Sequence, residues 1–281
     1  MKEKLRGIGL TLAAAAAYWL IQNIVAQLCY YGYAMVWARS HDPTDREAFA
    51  AAIQLFQERY GLYMLLAAAV PCILLALGFM RSSGLRGRFA PPNAAWAGLP
   101  ILCGLALNVL VSCLLSALPF PESALETNQV LESILTGGHP ALAFAVTGLV
   151  VPLAEELLFR GVCYGALRRV FPARVAIVAQ ALLFALFHGN PVQIIGVFPV
   201  ALLLGLSYEW SGTLFAPLLM HMAFNCANAL LALIPDTEAG RRLFVVVVLP
   251  VSAVTAALSI WGMRNRGQRT EDREQTGDGG Q

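Results

Sequence analysis

Three short clusters of ionisable and strongly polar side chains interrupt otherwise apolar sequence. The first is Glu155-Glu156-Leu157-Leu158-Phe159-Arg160. On a helix, residues four apart share a face, so Arg160 can neutralise Glu156. Glu155 is rotated by about 100° and points elsewhere, free to take a proton from water as a general base. The blander reading is a carboxylate pair at the lipid headgroup boundary. The second cluster is Phe184-Ala185-Leu186-Phe187-His188, in which Phe184 and His188 share a face. Here the alternative is a structural histidine near a helix end. The third is His221-Met222-Ala223-Phe224-Asn225. His221 and Asn225 could present two donors to one point, which is what a developing oxyanion needs, or could simply tie two helices together. Taken jointly, the inventory suits activation of water plus oxyanion stabilisation. Nucleophilic catalysis fits less well: Ser207, Ser211 and Thr213 lie nearby, but none sits in a nucleophile motif. No HExxH zinc motif, P-loop or dinucleotide fingerprint occurs.

The elements that must carry these residues are membrane helices. Of 281 residues, 58% are hydrophobic and 13% charged, against about 25% charged in soluble domains. The apolar residues form runs long enough to cross a hydrocarbon core of ~30 Å as helix. A disordered chain, a secreted disulfide scaffold and a nucleic-acid-binding domain are all poor fits, and a net charge of +2 gives no polyanion signal. The expected fold is all-α, a polytopic bundle of about eight transmembrane helices, over 8–36, 61–80, 94–118, 141–160, 175–188, 192–208, 213–234 and 243–263. His188-Gly189-Asn190-Pro191 makes a turn-like or re-entrant break between the fifth and sixth.

Orientation follows from lysine and arginine. With the N-terminus inside and the spans alternating, the inside segments hold 14 of the 19 basic residues. These are Lys2, Lys4, Arg6, Arg81, Arg86, Arg88, Arg160, Arg168, Arg169, Arg174, Arg264, Arg266, Arg269 and Arg273. Outside fall Arg39, Arg46, Arg59, Arg241 and Arg242. The positive-inside rule therefore places both termini in the cytoplasm. The loop 119–140, with Glu122, Glu126 and Glu132 and no basic residue, reads as external with a short helix. The six cysteines form no CxxC pair and read as small apolar packing residues. The first apolar run is expected to stay attached as a membrane helix rather than to be removed as a signal peptide. Residues 1–265 read as one transmembrane domain, and 266–281, polar and glycine-rich, as a disordered cytoplasmic tail.

The order EExxxR, FxxxH, HxxxN on successive membrane helices resembles the CAAX protease and bacteriocin-processing family of intramembrane endopeptidases, which includes the type II CAAX prenyl endopeptidases. The motifs cover residues 155–225; each is weak alone and specific together. The resemblance implies that Glu155 activates water with His188, that His221 and Asn225 stabilise the oxyanion, and that Glu156 and Arg160 support the site. Phe184 matches the motif aromatic and serves packing. The family is often called metalloprotease, so the metal question stays open: Glu155, His188 and His221 are the candidate ligands for zinc, and the same groups can work without it. The implied substrates are membrane-associated peptides or proteins, prenylated CAAX-type or otherwise hydrophobic, met at the bilayer and not on nucleic acid. The implied location is the cell membrane, the inner one in a bacterium. Two readings from other classes stand beside this one: a non-catalytic immunity or scaffold protein, and a proton-coupled transporter using the Glu/His cluster.

The span limits leave one conflict. They put Glu155 near the cytoplasmic arginines and His188 near the external end of the fifth span, so the two depths do not meet. The expectation is that the span limits are at fault, that the clusters share a cytoplasm-facing cavity part-way into the membrane, and that Gly189-Asn190-Pro191 lies deeper than a simple loop.

Overall fold

The computed structural model describes residues 2–42, 44–85, 94–136, 139–231 and 233–276, without the side chains of 94–96, 136, 229 and 268–276. It is 88% helical, with no strand among the described residues. The helices are α1 (Lys2–Trp37), α2 (Arg46–Ser82), α3 (Ala94–Ala117), α4 (Glu122–Thr136), α5 (Pro140–Arg168), α6 (Ala173–Leu186), α7 (Pro191–Ser211), α8 (Phe215–Leu231) and α9 (Glu238–Gly267), the last running on as backbone helix to Thr276. Each of the eight expected spans falls on one of these. Among the described residues six helices, α1, α2, α3, α5, α7 and α9, are long and apolar enough to cross a membrane; α6 has 14 residues and α8 has 17.

Local chemistry accounts for the element limits. Asp45 caps α2 by accepting from the Ala48 N–H at 3.0 Å, and Thr237 caps α9 through the Gly240 N–H at 3.1 Å. Gly212, at φ 64°, closes α7 in the left-handed conformation that glycine adopts without penalty. Asn190 caps α7 at the Val192 N–H, 2.8 Å, with Pro191 opening the helix. The same Asn190 is buried and donates from Nδ2 to the Ala124 carbonyl of α4 at 3.1 Å. Within the turn only Asn190 is buried, held by this bond to α4, while Gly189 and Pro191 are exposed, so the turn is not sunk into the protein as a whole.

Two span limits need correction. α2 begins at Arg46, not at 61, because the Asp45 cap carries a polar helical stretch through Gln54, Gln57 and Glu58 before the apolar run begins. More important for the site, α5 runs to Arg168 instead of stopping at 160. Glu155 and Glu156 are therefore in mid-helix, and Arg160, counted above as an inside loop charge, lies within the bundle at 0% exposure. The depth conflict disappears with this change. Glu155 lies 13 residues before Arg168, and His188 lies 15 residues after Ala173. Both thus lie a similar number of residues from the same end, and the Phe184 ring meets those of both His188 and His221.

Contacts gather the basic segments at that end. Lys4 of α1 lies over the Phe171 ring at 5.7 Å. Arg169 donates to the Ser83 and Gly84 carbonyls beyond α2, at 2.8 and 2.6 Å. Arg86 and Arg88 lie outside the described residues. α5 is the hub: Ala154, Leu157, Leu158, Phe159, Val162 and Cys163 form the main core with Ala14 and Tyr18 of α1, Cys72 and Ala76 of α2, Phe184 of α6 and Ala201 of α7. Large apolar side chains such as Leu74, Val254 and Trp261 point outward and are exposed. Such a surface suits lipid, where helices satisfy their own backbone and need no polar exterior.

Candidate active site

The three clusters stand on α5, the end of α6, and α8, and the helices bring them together. Arg160 Nη1 donates to Glu156 Oε1 at 2.8 Å, with Glu156 1% exposed. Its Nη2 donates to the Ala201 carbonyl of α7 at 3.2 Å, and its guanidinium lies 4.7 Å from the centre of the Phe184 ring. A pair this deep is not a headgroup contact. Taking both ions out of water is costly, and the pair is stable only because each end is held by further partners.

Glu156 also fixes the third cluster. His221 Nδ1 lies 2.8 Å from the same Oε1. Because a carboxylate only accepts, Nδ1 carries the hydrogen and donates it, so Nε2 is the free ring position. That nitrogen lies 3.7 Å from Glu155 Oε2. Glu155 is thus the more open carboxylate, its side chain 14% exposed against 2% for Glu156. Asn225, one turn further along α8, donates from Nδ2 to the Thr147 carbonyl at 2.7 Å.

His188 joins this group through an aromatic ring. Phe184 meets His188 and His221 edge-on, with ring centres 5.0 and 5.8 Å apart. His188 Nδ1 lies 2.9 Å from the Phe184 carbonyl; it donates there, which leaves Nε2 as an acceptor. Glu155, Glu156, Arg160 and His221 therefore touch directly, while His188 and Asn225 flank them on separate anchors.

Zinc was the open cofactor. Among the described residues no three histidine, cysteine, aspartate or glutamate side chains come together as a ligand set. The bonds at Nδ1 leave Nε2 of both His221 and His188 open, as a metal-ligating histidine requires, but Glu155, His188 and His221 as placed do not close on one point. The donor set as placed does not fit a bound metal, and no step below passes through one. Protein stripped of metal is expected to keep its rate of peptide cleavage. Loss of that rate, restored by stoichiometric zinc, would contradict this.

Several contributors were missed. Gln180, fully buried on α6, donates to the same Ala201 carbonyl as Arg160, at 3.3 Å. Asn108 of α3, 3% exposed, donates to the Phe224 carbonyl and to Asn228 Oδ1 of α8, both at 3.0 Å. Four residues before it, Gly104 packs so closely that a Cβ there would collide with the Met220 carbonyl. α3 therefore seats the turn of α8 that bears His221 and Asn225. Tyr18 of α1 packs on Phe159 and Phe187, ring centres 6.1 and 6.4 Å apart. Gln180 and Asn108 were detectable by the rule that found the clusters, as polar groups in apolar runs; Gly104 and Tyr18 carry no such signal. Gly104→Val is expected to lift α3 from α8 and cost about 1–3 kcal/mol of stability, with activity falling in parallel. Thermal unfolding of the variant in detergent checks this, and an unchanged transition contradicts it.

Comparison with known proteins adds an independent line. Residues 137–227 match the family model described as type II CAAX prenyl endopeptidase Rce1-like, a stretch that contains all three clusters. The chain is 27% identical over 173 residues to the membrane-embedded CAAX protease MroQ of Staphylococcus aureus (strain USA300), covering 58% of this chain and 69% of that protein. It is 33% identical over 85 residues to the uncharacterized protein YpbD of Bacillus subtilis (strain 168), covering 29% of this chain and 41% of that one. No solved structure matches.

Proposed function

We propose that the chain, whose residues 137–227 match the Rce1-like type II CAAX prenyl endopeptidase model, is a member of that family and cleaves membrane-associated peptides with water activated by Glu155. It is a multi-pass cell membrane protein. The observation that carries the reading is the placement of Glu155 Oε2 3.7 Å from Nε2 of His221, whose other nitrogen is fixed by the buried Glu156–Arg160 pair. Residues 1–265 form the protease unit in this reading, with 266–281 as a cytoplasmic tail, and the basic end of the bundle faces the cytoplasm.

Each residue then has a definite task. Water sits between Glu155 and Nε2 of His188. Glu155 takes one of its protons as the oxygen attacks the scissile carbonyl carbon. The carbonyl π electrons move to oxygen, and that oxyanion accepts from Nε2–H of His221 and from an amide N–H of Asn225. Nε2 can donate only when the ring is doubly protonated. Glu156 supplies the counter-charge for that state, and Arg160 keeps Glu156 itself from being an unbalanced buried anion. As the intermediate collapses, the C–N bond breaks and Glu155 returns its proton to the leaving nitrogen. The products are a carboxylic acid and an amine.

Substrates are prenylated CAAX-type or other hydrophobic segments that partition into the bilayer. The test uses purified protein in liposomes with three quenched fluorescent peptides: a prenylated CAAX-type peptide, its unprenylated form and an unrelated hydrophobic peptide. Cleavage of at least one bilayer-partitioning peptide is expected. Intact peptides in all three arms would overturn the proposal, and the pattern of cleavage separates prenyl recognition from general hydrophobic capture.

A further inference from the structure

Asn225 is anchored on a main-chain carbonyl that an ordinary helix would not leave free. In an α-helix the Thr147 carbonyl would accept the N–H four residues on, that of Val151. α5 departs from this pattern at Val146–Val150, which form a wider π turn. There the Val151 N–H donates to the Val146 carbonyl, five residues back. Continuing the wider pattern, the Thr147 carbonyl would look to residue 152. That residue is Pro152, which has no N–H. The Thr147 carbonyl is thus left without a donor from its own helix at a half-buried position of a membrane helix, where an unsatisfied backbone group is costly. Asn225 Nδ2 supplies the missing donor at 2.7 Å.

We propose that the π turn at Val146–Val150 and Pro152 together form a positioning device for Asn225, with the Thr147 carbonyl as its anchor. The acceptor fixes the amide: Nδ2 faces Thr147 and Oδ1 faces away. One N–H of that nitrogen is consumed by the anchor. The other diverges from it by about 120°, the sp² geometry of an amide nitrogen, and remains available to an oxyanion. Single π turns inside α-helices recur at functional sites. The use of the second N–H rests on the protease reading above; the anchor itself does not. Pro152 and Thr147 touch no reacting atom and are positioning residues.

The test is a double-mutant cycle on Pro152→Ala and Asn225→Ala, read first by thermal unfolding of the purified protein. Alanine at 152 restores an N–H that can serve the Thr147 carbonyl, or let Val151 do so. In the native background Asn225→Ala strands the carbonyl and is expected to lower the unfolding temperature by roughly 2–4 °C. In the Pro152→Ala background the same change should cost much less. Equal losses in both backgrounds would overturn the proposal. Activity gives a second readout: Pro152→Ala should lower kcat by about tenfold or more with KM nearly unchanged, because a displaced donor weakens the transition state and not substrate binding. An unchanged kcat would also overturn it. Should the native protein cleave no peptide, the protease reading fails, and the unfolding cycle still decides the anchor by itself.

Discussion

Glu155→Gln is expected to reduce peptide cleavage by roughly 10²–10⁴-fold, the usual contribution of a positioned general base. Glutamine matches glutamate in shape but cannot take the proton from water or pass it to the leaving nitrogen. Folding should be little affected, because Glu155 is the open member of the pair and its nearest ion-pair partner among the described residues, His221 Nε2, is 3.7 Å away. KM should change little, and kcat should carry the loss. Kinetics of the purified variant against the native protein check this, with unfolding temperature as the control. A variant that keeps its rate would remove Glu155 from the chemistry. If proton or solute flux in liposomes fell instead while cleavage persisted, the transporter reading would take its place.

The second large effect concerns stability. Arg160→Met removes the cation but leaves Glu156 1% exposed, facing only His221. Breaking a buried pair from one side costs about 3–5 kcal/mol, a large part of the ~5–15 kcal/mol that holds a domain folded. The variant should unfold far below the native temperature or fail to accumulate. Adding Glu156→Gln should recover much of that loss, since no uncompensated charge then remains. Activity should not return with it, because glutamine offers His221 no counter-charge for its second proton. Unfolding and cleavage measured on the single and double variants separate the two roles of Glu156. A single variant as stable as the native protein would contradict the buried-pair account.

The clusters could be read before the fold because charge is expensive inside apolar runs, so Glu155, Glu156, His188 and His221 stood out by composition alone. The pairing of Glu156 with Arg160 followed from helical spacing and is met at 2.8 Å. What misled was Arg160 as a boundary marker. Arginine usually ends a membrane span, and nothing local distinguishes one that snorkels to water from one that is swallowed by the bundle. Its 0% exposure is decided by Glu156, the Ala201 carbonyl and the Phe184 ring, two of them on other helices. The same holds for α2, whose polar first half around Gln57 and Glu58 reads as loop until the Asp45 cap is seen to start the helix. Close approach, as at Gly104 against Met220, and the stranded carbonyl at Thr147 depend on backbone geometry that residue types do not announce.

The central claim is hydrolysis of peptide bonds at the membrane by Glu155-activated water. Its most direct measurement is a mass-spectrometric map of new C-termini in membranes that contain either the native protein or Glu155→Gln. The account predicts C-termini, in hydrophobic or lipid-anchored segments, that appear with the native protein and vanish with the variant. Identical termini in the two membranes, with both proteins folded and inserted, would contradict it.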